Sequence, residues 1–269
     1  MKLSWRKFDM EDIKLRLVYY FWLPDNGFNE MYDLHFKCLE KFSNIFNESI
    51  FFIAVDDINN KETLKVAADI ENKLINIGFF KNVTFNIIEN NKTLREAKVF
   101  KEEISDKLIN LDGLTFFAHT KGISTYNVNV ENNKAWVAAM YYFNLKFIEE
   151  VKYYLCQCMF NSYGFFRCFD KEFDHIKNRW MYCGSFMWLN CQKIHHYINS
   201  QNITVPELYD RGFAEDFVGN ITLWTCSASK GNWLTQKQDM YNKCIELLNV
   251  FTTSEEDLIE FKKFLKEVS

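Results

Sequence analysis

His119, Thr120, Lys121 and Gly122 stand in a row directly after the apolar run Leu114-Thr115-Phe116-Phe117-Ala118. An imidazole can donate to a phosphate or ligate a metal. An ammonium can neutralise an anion, and a glycine lets the backbone come close to a ligand. Set where a buried strand ends, His119, Lys121 and Gly122 are groups suited to a phosphorylated ligand, because charge there is costly without a partner. The plainer alternative is a core histidine bonded to backbone and a solvated lysine. A second chemical pair, Glu215 and Asp216, lies about a hundred residues on, within Ala214-Glu215-Asp216-Phe217-Val218-Gly219. One such carboxylate can take the proton of an attacking hydroxyl; the alternative is an acid at a helix N-terminus, favoured by the helix dipole.

Asp56 and Asp57 close another apolar run, Ser49-Ile50-Phe51-Phe52-Ile53-Ala54-Val55. Acids at a strand end can accept from a ribose hydroxyl or a base N–H, or cap the turn before Ile58-Asn59-Asn60. Trp188, close behind Gly184 and Ser185, has an aromatic face of the kind that stacks on sugar rings; core packing is its competing role. His175, His195 and His196 do not make a metal set: neighbouring histidines on a helix face different directions, and no acid stands at a ligand-like spacing. The eight cysteines are scattered, and Cys156-Gln157-Cys158 is too tight for a paired zinc ligand.

These groups need elements to hold them. Leu15–Leu23 is almost wholly apolar and reads as a strand buried on both faces. Helical spacing follows over 28–46, then a strand over 49–55, a helix over Lys61–Ile77, a strand over 83–88, a helix over 93–108 and a strand over 114–118. This alternation predicts βαβ units and a parallel sheet. It gathers Asp25, Asp56, Asp57, Glu89, Asn90, His119 and Lys121 on the edge where such sheets bind ligands. The second half reads as a long aromatic helix over 133–156, strands over 163–169, 180–190 (interrupted at Gly184-Ser185) and 223–227, and helices over 192–199, 239–251 and 255–268. No linker or repeat divides the chain, so one domain is expected over residues 1–269. Within it the alternating first half would span about 15–125, the less regular second half about 126–235 and the closing helices about 236–269.

The composition agrees with a folded, globular chain. It is 48% hydrophobic and 17% aromatic, ample for a core, and the net charge of -4 gives no electrostatic case for nucleic acid. With no signal-like segment and no run near the roughly 20 apolar residues of a spanning helix, a cytoplasmic location is expected.

The ordered motifs resemble the GT-A fold, family-2-like glycosyltransferases. Phe51-Phe52-Ile53-Ala54-Val55-Asp56-Asp57 is similar to that group's second strand, and Glu89-Asn90-Asn91 with Arg95, Glu96 and Ala97 to its third strand and following helix. Where most members carry Asp-x-Asp, this chain has His-Thr-Lys-Gly, as does a polysaccharide-type subgroup. That subgroup also has a Trp and a Met on the next helix, resembling Trp136 and Met140. Its aromatic-Gly-x-Phe-x-Trp resembles Tyr182–Trp188, and its Glu-x-aromatic-x-Gly resembles Glu215–Gly219. The resemblance covers roughly residues 15–220.

The resemblance implies a GT-A-like (Rossmann-like), mostly parallel central sheet flanked by helices, with a helical C-terminal segment. It implies transfer of a sugar from a nucleotide-diphosphate donor to a hydroxyl of a glycan or lipid-linked acceptor, most simply with inversion, in surface polysaccharide or glycan synthesis. Asp56, Asp57, Asn90, Arg95, His119, Lys121 and Gly122 would hold the donor. Glu215, at the position the subgroup uses, ranks above Asp216 as base. Gly184, Ser185 and Trp188 would face the acceptor, and a lipid-linked acceptor would be met at the membrane surface. Loss of Asp-x-Asp leaves the divalent metal open. The rival is a non-catalytic nucleotide- or glycan-binding domain that keeps the fold.

Overall fold

The structure, a computed structural model, describes residues 12–23, 30–78, 80–121, 130–169, 180–182, 184–205, 207, 212–221, 225–230 and 255–269. Gly122 and the segment expected as a helix over 239–251 lie outside the described residues, as do Asp25 and His175.

Four strands form the first part of the sheet: β1 (Leu15–Leu23), β2 (Glu48–Val55), β3 (Val83–Glu89) and β4 (Leu114–His119). They are parallel and lie in the order β3-β2-β1-β4. β1 is central because it is apolar on both sides. Leu17, Tyr19 and Phe21 enter one core cluster, while Val18 and Tyr20 enter the cluster on the opposite face. This alternation is the period-two geometry of a strand covered on both faces.

The second part reverses direction. β5 (Ser162–Phe169) is antiparallel to β6 (Trp180–Tyr182) and β7 (Met187–Leu189), β7 is antiparallel to β4, and β8 (Thr225–Lys230) runs parallel to β5. The result is a mixed, eight-stranded sheet among the described residues, less uniformly parallel than the sequence suggests. β6 and β7 are two pieces of one interrupted strand. The β4–β7 ladder ends at the Phe117–Met187 pair, and Gly184-Ser185 lie beyond it, although β4 itself continues to His119.

Helices cover both faces. On one side lie α1 (Glu30–Phe42), α2 (Lys61–Ile77), α4 (Val130–Leu145) and α8 (Glu255–Val268), whose apolar residues join the Tyr19 cluster. On the other side lie α3 (Glu96–Glu103), α6 (Cys191–Gln201) and α7 (Phe213–Ile221), which join the Tyr20 cluster. The short α5 (Ile148–Lys152) follows α4. The fold is therefore α/β with helices flanking a mixed sheet, consistent with a Rossmann-like arrangement. No helix among the described residues is long and apolar enough to cross a membrane.

The capping groups of α2 explain its bounds. Asn60 accepts from the N–H groups of Glu62 and Thr63, and Gly78 ends the helix in the left-handed region at φ 76°.

Candidate functional site

The strand order places a topological switch at β1: β2 leaves to one side and β4 lies on the other. In open α/β sheets the crevice outside the carboxyl ends of such strands is where ligands bind. Here the two ends are stitched together. The Thr120 N–H donates to Tyr20 O at 3.0 Å, and the Trp22 N–H donates to Thr120 Oγ1 at 2.9 Å. Thr120 is thus used as a clamp between β1 and β4, which leaves Lys121 as the first residue to project past them.

Lys121 meets Glu215. Its Nζ stands 3.3 Å from Glu215 Oε1, and both side chains keep about a quarter of their exposure, at 24% and 23%. The same oxygen accepts the Gly184 N–H at 2.7 Å. Glu215 Oε2 has no hydrogen-bond partner among the described residues. Glu215 is carried on the first turn of α7, and its own N–H donates to Gly212 O at 2.9 Å. The Lys121 ammonium also lies 5.0 Å from the centre of the Trp136 ring, a cation–π arrangement that keeps the amine facing the crevice. Sequence positions 121, 136, 184 and 215, far apart along the chain, thus form one cluster.

Gly184 fits this place for a steric reason. Its φ is 93°, and a Cβ on it would stand 2.6 Å from Met140 Sδ. Ser185 also has a positive φ, 55°; it is fully buried and its hydroxyl has no hydrogen-bond partner among the described residues. Tyr182 O accepts the Ser185 N–H at 3.3 Å, closing the turn.

His119 takes the plainer of its two sequence roles. It is buried, and its Nε2 lies 3.0 Å from Gly184 O. A carbonyl only accepts, so Nε2 carries the proton and the ring donates. Burial first, then the neighbouring Lys121 ammonium, push its pKa down to about 3, so the ring is neutral at pH 7. Glu96 Oε1 stands 3.8 Å from Nδ1, and with a neutral ring this contact is not an ion pair. His119 is therefore a strut between β4 and the Gly184 turn rather than a phosphate cation.

A second wing lies at the ends of β2 and β3. Asp56 Oδ1 accepts from Asn90 Nδ2 at 2.7 Å, and Asn90 Oδ1 accepts from the Tyr20 hydroxyl at 2.8 Å. Lys92 Nζ is 4.0 Å from Asp56 Oδ2. Arg95 has φ 46° just before α3 and lays its guanidinium 4.9 Å from the Trp22 ring centre. Asp57 is separate from this group: it is exposed and accepts the Asn59 N–H at 2.8 Å, the turn role weighed for it from the sequence.

Trp188 corrects the sequence reading. It is wholly buried, donates Nε1–H to Asn144 O at 2.7 Å, and packs in one aromatic group with Phe46 and Phe116. Such a side chain has no face to offer a sugar. Asp216 follows Glu215 on α7, but its side chain is outside the described residues. No group of three or more His, Cys, Asp or Glu side chains among the described residues is placed to hold a metal ion.

Three participants were not singled out from the sequence: Tyr20, Trp22 and His35. His35 is the most informative. Its Nε2 lies 2.9 Å from Lys121 O, and its Nδ1 is 2.9 Å from both the Tyr19 and the Tyr141 hydroxyls. The signal was present: His35 falls on the apolar stripe of α1 marked by Met31, Leu34 and Cys38, where a polar ring must find partners.

No protein-family model and no curated protein matches this chain.

Proposed function

We propose that this protein is a glycosyltransferase of the GT-A type. It would move a sugar from a nucleoside diphosphate to a hydroxyl of a glycan or lipid-linked acceptor, with inversion. The observation that carries this reading is the Lys121–Glu215 pair at the switch-point crevice, braced by the Gly184 N–H.

In this reading the donor diphosphate draws the Lys121 ammonium, which balances the charge that develops as the leaving group departs. Glu215 keeps its Gly184 hydrogen bond through Oε1 and presents Oε2 to the acceptor. The carboxylate takes the acceptor's proton, the acceptor oxygen bonds to the anomeric carbon, and the bond from that carbon to the diphosphate oxygen breaks with its electron pair leaving on the diphosphate. Asp56, Asn90 and Arg95, with Trp22 beside them, form the wing for the nucleoside. Among the described residues no three His, Cys, Asp or Glu side chains gather as ligands at these strand ends, so a divalent ion, if used, would rest on few hard oxygen donors, Asp56 and Asp57 first among them, a sparse set for Mg²⁺ or Mn²⁺.

A non-catalytic binding domain is favoured by one observation, that β4 ends in a buried neutral histidine and a lysine instead of acids. The test separates the two. The protein is incubated with uridine, guanosine, thymidine and cytidine diphosphate sugars, and free nucleoside diphosphate is measured. Slow release that disappears in Glu215→Gln supports the transferase. Thermal protection by a nucleoside diphosphate without any release supports the binding domain, and neither result with any nucleotide overturns both.

A further inference from the structure

Glu215 Oε1 has two donors, the Lys121 ammonium and the Gly184 N–H, and each donor residue is fixed in the same way. The carbonyl of Lys121 accepts from His35 Nε2 at 2.9 Å, and the carbonyl of Gly184 accepts from His119 Nε2 at 3.0 Å. We propose that His35 and His119 are a matched pair of positioning residues, one from each face of the sheet, that aim the two donors at Glu215 and so set the direction of its free oxygen.

The case for His35 rests on what surrounds it. Its ring lies in an otherwise apolar cluster that includes Phe21, Phe51, Phe116 and Phe186. Its Nε2–H is committed to the Lys121 carbonyl, so Nδ1 accepts, and one tyrosine hydroxyl donates to it. The Tyr19 and Tyr141 oxygens are 2.7 Å apart, so the second hydroxyl can donate to the first. Three elements, β1, α1 and α4, thus place a polar chain inside a core, and the chain ends on the residue that carries the ammonium. Apolar groups of the same shape would hold the core about as well, because replacing both partners of a buried hydrogen bond is close to neutral. A fully paired buried network instead fixes one geometry. With the Lys121 carbonyl held, the direction of its Cα–Cβ bond is held, and the ammonium is delivered between Trp136 and Glu215. His119 does the same for Gly184, holding its carbonyl while Glu215 accepts its N–H.

The geometric part of the proposal stands without a ligand; its catalytic consequence rests on the transferase reading. The test therefore has two arms. Lysines of the intact protein are dimethylated with ¹³C-formaldehyde, and the Lys121 resonance is assigned by its loss in Lys121→Arg. Lying over Trp136, its methyl signals are expected upfield of those of exposed lysines. In His35→Phe they are expected to move to the exposed position while the circular dichroism spectrum is kept. In His35→Gln, whose amide can replace the Nε2–H, they stay upfield. Should His35→Phe not fold, the double variant Tyr19→Phe, Tyr141→Phe removes both hydroxyls at constant ring volume and is expected to loosen the same signal. A Lys121 signal that stays upfield in a folded variant lacking either support, or is never upfield, overturns the proposal. In the second arm, turnover of His35→Phe is expected to fall about 10–10²-fold with donor KM nearly unchanged, and the fall should vanish in a Glu215→Gln background. A wild-type protein with no turnover on any donor overturns the transferase reading while the resonance arm still decides the positioning.

Discussion

In the proposed transfer Glu215 is the side chain on which the chemistry would turn, because it joins a partly exposed carboxylate to two donors on a single oxygen. Glu215→Gln keeps the shape and removes the proton acceptor, so turnover is expected to fall by roughly 10²–10⁴-fold. Nucleoside diphosphate affinity, read by calorimetry, should change little or rise, since Lys121 loses a competing anion. Unchanged turnover in Glu215→Gln would move the base elsewhere; Asp216→Asn, on the neighbouring residue, is expected to do less. Trp188 supplies the contrast. Trp188→Phe removes the hydrogen bond to Asn144 O and leaves space beside Phe46 and Phe116. It is expected to cost about 1–3 kcal/mol of stability by denaturant titration and to leave nucleotide affinity alone. A loss of acceptor use at unchanged stability would return Trp188 to the acceptor side.

The elements that position these residues differ in how plainly the sequence marks them. β1, α2 and α8 have the expected bounds, because each has an unbroken pattern: apolar on both faces for β1, capped by Asn60 and Gly78 for α2, and an apolar stripe for α8. The helix expected over 93–108 is shorter. Asn91 Oδ1 accepts from the N–H groups of Thr93 and Leu94, holding them in a turn, and Arg95 at φ 46° delays the start of α3 to Glu96. The helix expected over 133–156 breaks after Leu145 and ends in a π turn at Tyr153–Gln157, with no proline or glycine to announce it. α7 was visible only as the alternative reading of the acid pair. The chemical groups themselves were legible as residue types, whereas their pairing was not: nothing local connects Lys121 with Glu215, or His35 with the Lys121 carbonyl. The break between β6 and β7 carries the element-scale prediction. Gly184→Ala must accept φ near 93° and a close contact with Met140, and the left-handed backbone alone costs about 1–2 kcal/mol. Because Gly184 donates to Glu215, turnover should fall more than stability does. Adding Met140→Ala relieves the contact but not the backbone, so it should restore stability only in part. Full recovery of both would show that the turn owes its glycine to packing alone.

Taken as a whole, the molecule holds two uncharged histidines in its interior among the described residues, and these shape its response to acid. Burial is the first cause of the fall for both His35 and His119, each with a pKa of about 3 against an ordinary 6.5. Between those values the unfolded chain takes up a proton at each position that the folded chain refuses. Stability from this source is therefore fully present above pH 6.5 and is lost as the pH drops toward 3. From pH 7 to pH 5 the loss is about 2 kcal/mol for each histidine. The carboxylates do not mask it: Glu48 and Asp112, held below the usual range by pairing with Arg16 and Lys14, lose their contribution only in the more acidic region. Unfolding midpoints in denaturant, measured at half-unit steps from pH 7.5 to 5, should fall with a slope approaching two protons. In His35→Gln the slope should drop by about one proton, since glutamine keeps the bond to Lys121 and does not titrate. The same slope in both proteins would mean that His35 is charged in the folded state. Its ring would then offer two donors to the carbonyl and the tyrosine pair, and the neutral chain of hydrogen bonds that leads to Lys121 would have to be redrawn.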